Sequence, residues 1–398
     1  MIIRKAYQFK LKPTVQQERV LAQMSGCCRF LWNKALAMNL ERLKENHKLM
    51  WYHELSYWLT FWKKTEELQF LKSCHSQPLQ QTLKHLDRAF KDAFDKSQPL
   101  KKLPTFKKKF QGDSFCYPQG FKFENRRVFL PKIGWIGFRK SRKILGKHKN
   151  LTVNRKADGW YISVQVEIEQ PHVQHPSNST VGIDLGIARF ATLSNGEYYL
   201  PIHSTRQEEK RLAKAQKNLS RKTKFSNQWK KQQQKIGKIH RKIRNRRIDF
   251  LHKLSSKISK NHAIIFLEDL AVTEMSKSVQ GLGKRKSNLN KAILDQGWSI
   301  FKTLLSYKQS WMGGEVLTVD PRYTSQKCPT CSTIDQSNRV TQSDFTCQRC
   351  GYQQNADLVG AMNILAAGLV VMACQANSIR SRQQEPVRNR KKVLPQGH

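Results

Sequence analysis

Acidic residues are scarce in this chain. Its 398 residues carry 29 Asp plus Glu against 72 Lys plus Arg, a formal net charge of +43. A field of that sign excludes the ordinary enzyme of small metabolites, which has no use for it. It fits a polyphosphate partner, which neutralises the charge and releases counterions on binding, so nucleic acid is the expected partner. Long apolar runs are lacking too. The one worth testing as a membrane span, Leu358 to Ala373, has 16 residues and contains Asn363, short of the roughly 20 needed, and it reads as a buried helix. The opening MIIRKAYQFKLKPT alternates like a strand and lacks the apolar core of a signal peptide. No helix pairing basic and aromatic faces and no lipidation motif points to a membrane surface. A disulfide framework is also missing: of nine cysteines, Cys27, Cys28, Cys74, Cys116 and Cys374 are scattered. A cytoplasmic location is expected.

The length suffices for two or three domains. Residues 1 to about 13 read as a strand. From Val15 to about Lys48 apolar residues recur at helical spacing, and a second helix is predicted from Pro78 to Phe94. Gln77, Gln80 and Gln81 cluster at its beginning, where amide side chains can read adenine in a groove. Between Pro104 and Gln170 short alternating runs with the turn NRKADGW predict a small antiparallel barrel, the preceding helices inserted in it or packed on it. The expected division is thus a β-barrel over about 1–13 and 104–170, a helical insertion over about 14–103, and a polar linker, PHVQHPSNST, over 171–180.

The second half opens on VGIDLGIARF, where Val181, Ile183 and Leu185 alternate around Asp184, and Gly182 and Gly186 permit close approach of backbone or ligand. A meander follows through Ser194-Asn195-Gly196. Arg206 to Lys260 then holds 20 Lys plus Arg against three acids, with Ile236, Ile239, Ile243, Phe250, Leu254 and Ile258 along one face. That predicts a long basic helix or helix pair, one face fixed to the core and the other a cationic rail for nucleic-acid backbone; Lys230, Lys231, Arg241 and Arg244 are candidate contacts. HAIIFLEDL is a short buried strand ending in Glu268 and Asp269. Lys277 to Lys291 reads as a mobile Gly, Ser and Lys segment, Ala292 to Trp311 as a helix, GGEVLTVD as a strand, and the basic tail from about Ser378 as disordered.

Cys328-Pro-Thr-Cys331 and Cys347-Gln-Arg-Cys350 stand fifteen residues apart. Two such knuckles complete a thiolate tetrahedron around Zn(II), and with all four positions filled the site is structural. Directly after this zinc ribbon, expected over about 324–353, comes Asn355-Ala356-Asp357 at the start of an apolar helix. Three acids therefore lie at element ends: Asp184, Glu268 and Asp357. Each alone has a dull explanation, Asp357 as a helix-starting residue among them. Together, in a basic protein, they suggest hard oxygen ligands for two Mg(II) ions acting on a phosphodiester. The element order, with acids at those places, is that of a ribonuclease H-like fold over 181–377.

GIDLG, FLEDL, DPRYTSQKCPTC with FTCQRCG, and NADLVGAMNIL resemble the RuvC-type nuclease domain and zinc ribbon of TnpB, the RNA-guided DNA endonuclease family of bacterial insertion sequences and a relative of type V CRISPR effectors. YQFKLKPTVQQERVL, CCRFLWNKAL and LQQTLKHLDRAF are similar to that family's opening segments. The resemblance implies a fold class of α/β plus β-barrel, with the ribbon inserted in the nuclease domain. It also implies guide RNA from the transposon end, a double-stranded DNA target beside a short target-adjacent motif, cutting of both strands at one site, and a place in the bacterial cytoplasm associated with the nucleoid; the sequence leaves the oligomeric state open, a monomer being favoured. By motif position Asp184, Glu268 and Asp357 would be the Mg-binding catalytic acids, Cys328, Cys331, Cys347 and Cys350 the zinc ligands, and Tyr52 with Gln77, Gln80 and Gln81 candidates for reading the motif.

Two residues depart from the family pattern: Ser332 stands where Gly is usual after the first knuckle, and Val359-Gly360-Ala361 where Asn-Ala-Ala is usual. Three rival functions use parts of the same pattern. Actin-like ATPases also begin with a GIDLG strand, but need a Thr-rich turn after it and a second Gly-rich loop, and IARFAT follows here. A guide-directed binding protein would not need three acids. A protein-only transposase could use them, and RNA dependence separates it from the guided nuclease.

Overall fold

The computed structural model describes residues 1–109, 112–171, 173–270 and 284–384. The chain forms two compact units, Met1–Pro171 and His172–His398.

In the first unit β1 (Ile2–Lys12) is flanked on both sides. It pairs antiparallel with β7 (Gly159–Glu169) from Ile2 opposite Glu169 to Lys10 opposite Tyr161, then with β5 (Gly134–Phe138) at Leu11 and Lys12. With β2 (Ser114–Tyr117), β3 (Lys122–Glu124), β4 (Arg127–Leu130) and β6 (Lys147–Lys156) the sheet runs β2-β6-β7-β1-β5-β4-β3. β2 and β3 are its edges, and no ladder joins them among the described strands. The hydrogen-bonded closure implied by a barrel is therefore not made.

Three α-helices lie between β1 and β2. α1 (Val15–Lys44) starts where Thr14 accepts from the Gln17 amide and the Gln17 side chain accepts from the Thr14 amide, a reciprocal cap. It ends four residues before the expected limit, at Glu45, followed by left-handed Asn46. α2 (Tyr52–Trp62) and a 3-10 turn (Glu66–Ser73) were not legible in the spacing; α3 (Ser76–Phe94) begins two residues earlier than predicted. Leu21, Leu31, Leu79, Leu83 and Phe90 of the helices share one core with Phe9, Phe138 and Ile162 of the sheet.

The second unit is built on a five-stranded sheet in the order β10-β9-β8-β11-β12. β8 (Thr180–Asp184), β11 (Ile264–Glu268) and β12 (Glu315–Val319) are parallel; β9 (Ala191–Leu193) pairs antiparallel with β8, and β10 (Tyr198–Tyr199) antiparallel with β9. The basic stretch is a pair, α4 (Ser204–Ser220) and α5 (Asn227–Asn261). Next come α6 (Lys284–Gln296) and α7 (Trp298–Met312). The segment read as mobile is thus helical from Lys284 on, and its earlier residues lie outside the described part. α8 (Ala356–Gln384) carries the helix through the first residues of the expected disordered tail; residues 385–398 are outside the described part.

The period-2 alternation of the strands sorts the two faces. Val181, Ile183, Ile265 and Leu267 face Leu251 and Leu254 of α5 and Phe301 and Leu305 of α7. Gly182 and Phe266 face α8: a Cβ on Gly182 would stand 2.3 Å from the Ala361 carbonyl, and one on Gly368 would stand 2.1 Å from the Phe266 ring. Both strand and helix need glycine for that approach. α8 is long and apolar enough by composition to cross a membrane over Ala356–Cys374, with a mean hydropathy of 1.9. The expected buried helix is only partly so: Val359 and Ile364 are enclosed, while Leu369 and Val370 are exposed.

Candidate active site and metal centre

The same alternation that sends Gly182 and Phe266 toward α8 sends Asp184 and Glu268 there, at the carboxyl ends of adjacent parallel strands. Ile183 lies opposite Leu267 in the ladder, so the two acids follow side by side. Asp357 arrives in the first turn of α8. One turn later, Gly360 brings the helix against Asp184, where a Cβ would be 3.3 Å from Oδ2. The three acids, far apart in sequence, thus converge on one end of the sheet.

Their electrostatics follow from that convergence. Burial raises the Asp184 carboxyl to about 7, with the charges of Glu268 and Asp357 adding to the shift; Arg339 and the Leu185 amide oppose it. Glu268 is raised by burial as well, against the hydrogen bond from Thr324 and the charge of Arg339. The site is therefore a half-buried cluster of like charges, the setting in which a cation replaces protons. The acids do not form a tight cage. Among the described residues the four cysteines are the group whose ligand atoms all lie within 4.8 Å, and the carboxylates stand wider. A wider set of carboxylates leaves room for water and phosphate oxygens around a divalent ion.

Arg339 is the residue that sequence reading missed. It lies between the knuckles, and its charge reaches both Asp184 and Glu268. One arginine among 72 basic residues carries no local signal; only the fold of the ribbon brings it to the acids.

The ribbon is built on two matching turns. The Ser332 amide donates to the Cys328 carbonyl at 3.0 Å, and the Gly351 amide to the Cys347 carbonyl at 2.9 Å. Cys328 and Cys350 sulfurs are 3.6 Å apart, Cys331 and Cys347 sulfurs 3.5 Å. Four thiolates at about 2.3 Å from Zn(II) would be spaced about 3.8 Å, so the donor set fits that ion. Hydrogen bonding to Thr333 lowers the Cys331 thiol to about 6, which favours the thiolate a metal needs. β13 (Asp344–Thr346) and β14 (Gln353–Asn355) close the ribbon, and β14 runs directly into α8 and Asp357.

The candidate nucleic-acid residues fall in both units. In the first, Tyr52 opens α2 and packs on α3: its amide donates to Asp87 and Lys84 Nζ lies 4.9 Å from its ring centroid. Gln77, Gln80 and Gln81 are half-buried at the start of α3, and the Gln77 Oε1 is buried without a hydrogen-bond partner. In the second, Lys230, Lys231 and Arg244 are exposed on α5, while Arg241 is half-buried. The rail is less uniform than its composition implies. Lys242, Arg246 and Arg211 converge on buried Glu208, and Arg247 is paired with Asp295, so several cations are tied to acids that join α4, α5 and α6.

Comparison with known proteins places the chain. Family profiles match it as "Probable transposase" over residues 163–279, "Cas12f1-like, TNB domain" over 298–364 and "Helix-turn-helix domain" over 1–48. The last description does not fit the local structure, which is β1 followed by the single helix α1. A protein of Escherichia coli K12, "Putative RNA-guided DNA endonuclease InsQ", is 48% identical over 96% of this chain and 97% of its own length. A "Putative RNA-guided DNA endonuclease" of Streptomyces pristinaespiralis is 34% identical over 98% and 96%. The fold is similar to that of a protein solved as a Cas12f1-sgRNA-target DNA complex, with a TM-score of 0.54 and 11% identity, covering 91% of this chain and 98% of that one. By this extent of similarity the chain belongs to the TnpB family.

Proposed function

We propose that the protein is an RNA-guided DNA endonuclease that hydrolyses phosphodiester bonds of both strands of a target beside a short target-adjacent motif. The observation that carries the reading is the convergence of Asp184, Glu268 and Asp357 at the carboxyl end of one sheet, with Asp184 held near 7 by burial and by the other two acids. The sheet order, three antiparallel strands continued by two parallel ones, supports a ribonuclease H-like nuclease domain. The relatives' names support guided cleavage over strand transfer.

In this reading the three carboxylates hold two divalent ions, Mg(II) by the hardness of the donors. When bound, such ions supply an activated water and neutralise the leaving 3'-oxygen. Arg339 brings a permanent positive charge to the same place, suited to a phosphate oxygen as well as to the acids. The ribbon, its four thiolates closed around Zn(II), holds Arg339 and the strand that leads to Asp357.

The test is to express the protein with the transposon-end DNA that flanks its gene and to sequence the RNA that purifies with it. A discrete RNA ending in a variable guide, with Mg-dependent plasmid cleavage lost in Asp184→Ala, is expected. Cleavage that persists in Asp184→Ala, or that needs no RNA, overturns the reading.

A further inference from the structure

Glu268 does not stand free at the end of β11. Its Oε1 accepts a hydrogen bond of 2.5 Å from the hydroxyl of Thr324, a residue only 8% exposed in the loop between β12 and the first knuckle. Oε2 has no hydrogen-bond partner among the described residues. The Thr324 hydroxyl also lies 3.0 Å from the Pro321 carbonyl, and its single hydrogen favours the acceptor that carries charge.

The loop is itself clamped. Asn363, 6% exposed in the otherwise apolar α8, donates through Nδ2 to the Thr324 carbonyl at 2.8 Å and to the Lys327 carbonyl at 2.7 Å. Both amide hydrogens are used, and both acceptors lie just before Cys328. A buried amide in an apolar helix is costly unless it is satisfied in this way. Because Asn363 shares its helix with Asp357, six residues earlier, the clamp ties one acid's helix to the loop that orients another.

We infer that Thr324 is a positioning residue for Glu268 and that Asn363 holds Thr324 in place. Thr324 engages one carboxylate oxygen and so turns the other toward Asp184 and Asp357, ready for a divalent ion. The inference rests on the metal-site reading above. It also gives the loop before the ribbon a role apart from zinc: it sets the direction of a carboxylate on a neighbouring strand.

The experiment is Mn(II) binding to the purified protein, read by electron paramagnetic resonance, together with cleavage as a function of Mg(II). Asp184→Asn serves as control for binding at the acids. Thr324→Val keeps the shape and removes the hydroxyl; Thr324→Ser keeps the hydroxyl. Loss of a group that orients a metal ligand costs roughly 10- to 100-fold in affinity. Thr324→Val should weaken Mn(II) binding by that factor and shift the Mg(II) requirement for cleavage upward, with zinc content and melting temperature held. Thr324→Ser should restore most of the affinity, and Asn363→Leu should reproduce the Thr324→Val defect. Wild-type Mn(II) affinity in Thr324→Val overturns the inference, as does a Thr324→Ser defect as deep as that of Thr324→Val, which would assign the effect to packing of the methyl. If the wild type itself shows no Mn(II) binding sensitive to Asp184→Asn, the metal-site reading fails first and takes the inference with it.

Discussion

Gly360 and the carboxylate of Asp184 are in direct apposition: a Cβ built on the glycine would lie 3.3 Å from Oδ2 and 3.4 Å from Cγ of the acid. The contact is tight, yet a few tenths of an ångström would relieve it. Helix α8 gains about 1 kcal/mol when Gly becomes Ala. Gly360→Ala is therefore expected to melt at a slightly higher temperature and to cleave within a few-fold of wild type. A branched residue leaves no such room. Gly360→Val should displace the carboxylate and lower cleavage by roughly 100-fold, the cost of a misplacement near 1 Å. Wild-type cleavage by Gly360→Val would show that Asp184 is not held where the helix leaves it. Gly182 is the contrasting case. A methyl there meets backbone, the Leu365 amide at 2.5 Å as well as the Ala361 carbonyl, and Gly182→Ala should cost about 1–3 kcal/mol of stability by thermal melting.

The raised carboxyl of Asp184 makes a signed prediction for pH. Its ordinary value is 3.8 and its folded value about 7, so between those limits the folded protein holds a proton that the unfolded chain has lost. Stability without divalent metal should therefore fall as pH rises from about 4 to 7, and Glu268, shifted in the same direction, adds to the slope. Asp184→Asn removes the largest part of this dependence and should be more stable than wild type at pH 8. The two melting curves should converge toward pH 4. A constant difference between wild type and variant across that range would contradict the assignment. Metal competes with the same proton, so Mn(II) affinity should weaken as pH drops below 7.

Each knuckle of the ribbon is followed by a residue in the left-handed region: Gly351 at φ +75° and Ser332 at φ +60°. Glycine takes that conformation freely and serine takes it at a cost of order 1 kcal/mol. The departure of this chain from the family pattern at Ser332 is thus one of strain, not of metal chemistry. Ser332→Gly should stabilise the ribbon without changing zinc content, and Cys331→Ser should lose zinc, measured by elemental analysis, and cleavage with it. Cleavage that survives zinc loss would leave the ribbon without a part in holding Arg339 and Asp357.

Local pattern in the sequence was enough for the elements that bury one face, and not for those whose signal is shared. The strand around Asp184, the strand ending in Glu268 and the capped start of α1 all have a clear period. α2 escaped because YHELSYWLTFW is apolar nearly all round, with Tyr57 76% exposed and Leu55 buried on a single helix. The first part of α6, Lys284 to Lys291, was hidden by its serine, asparagine and lysine content, which gives no apolar period. At the site, Asp184, Glu268 and Asp357 lie at element ends that can be marked from sequence. Thr324, Asn363 and Arg339 owe their roles to contacts over 36 residues or more, and no periodicity announces those.

The pairing of Glu208 with Lys242, Arg246 and Arg211 separates two classes of cation on the basic helices, and the difference is measurable. Lys230, Lys231 and Arg244 are exposed on α5 and free to meet phosphate. Each phosphate contact releases counterions and contributes about 0.7 to 0.9 to the slope of log affinity against log salt. Replacing these three by Gln should flatten that slope by roughly 2 to 3, and should weaken binding with little dependence on sequence. The melting temperature should hold, because no core contact is lost. Lys242→Gln with Arg246→Gln should behave in the opposite way. Glu208 is buried, and the two replacements leave it Arg211 alone of these three basic partners, so stability falls while the salt slope changes less. An unchanged slope in the first variant would mean that nucleic acid does not run along this face of α5.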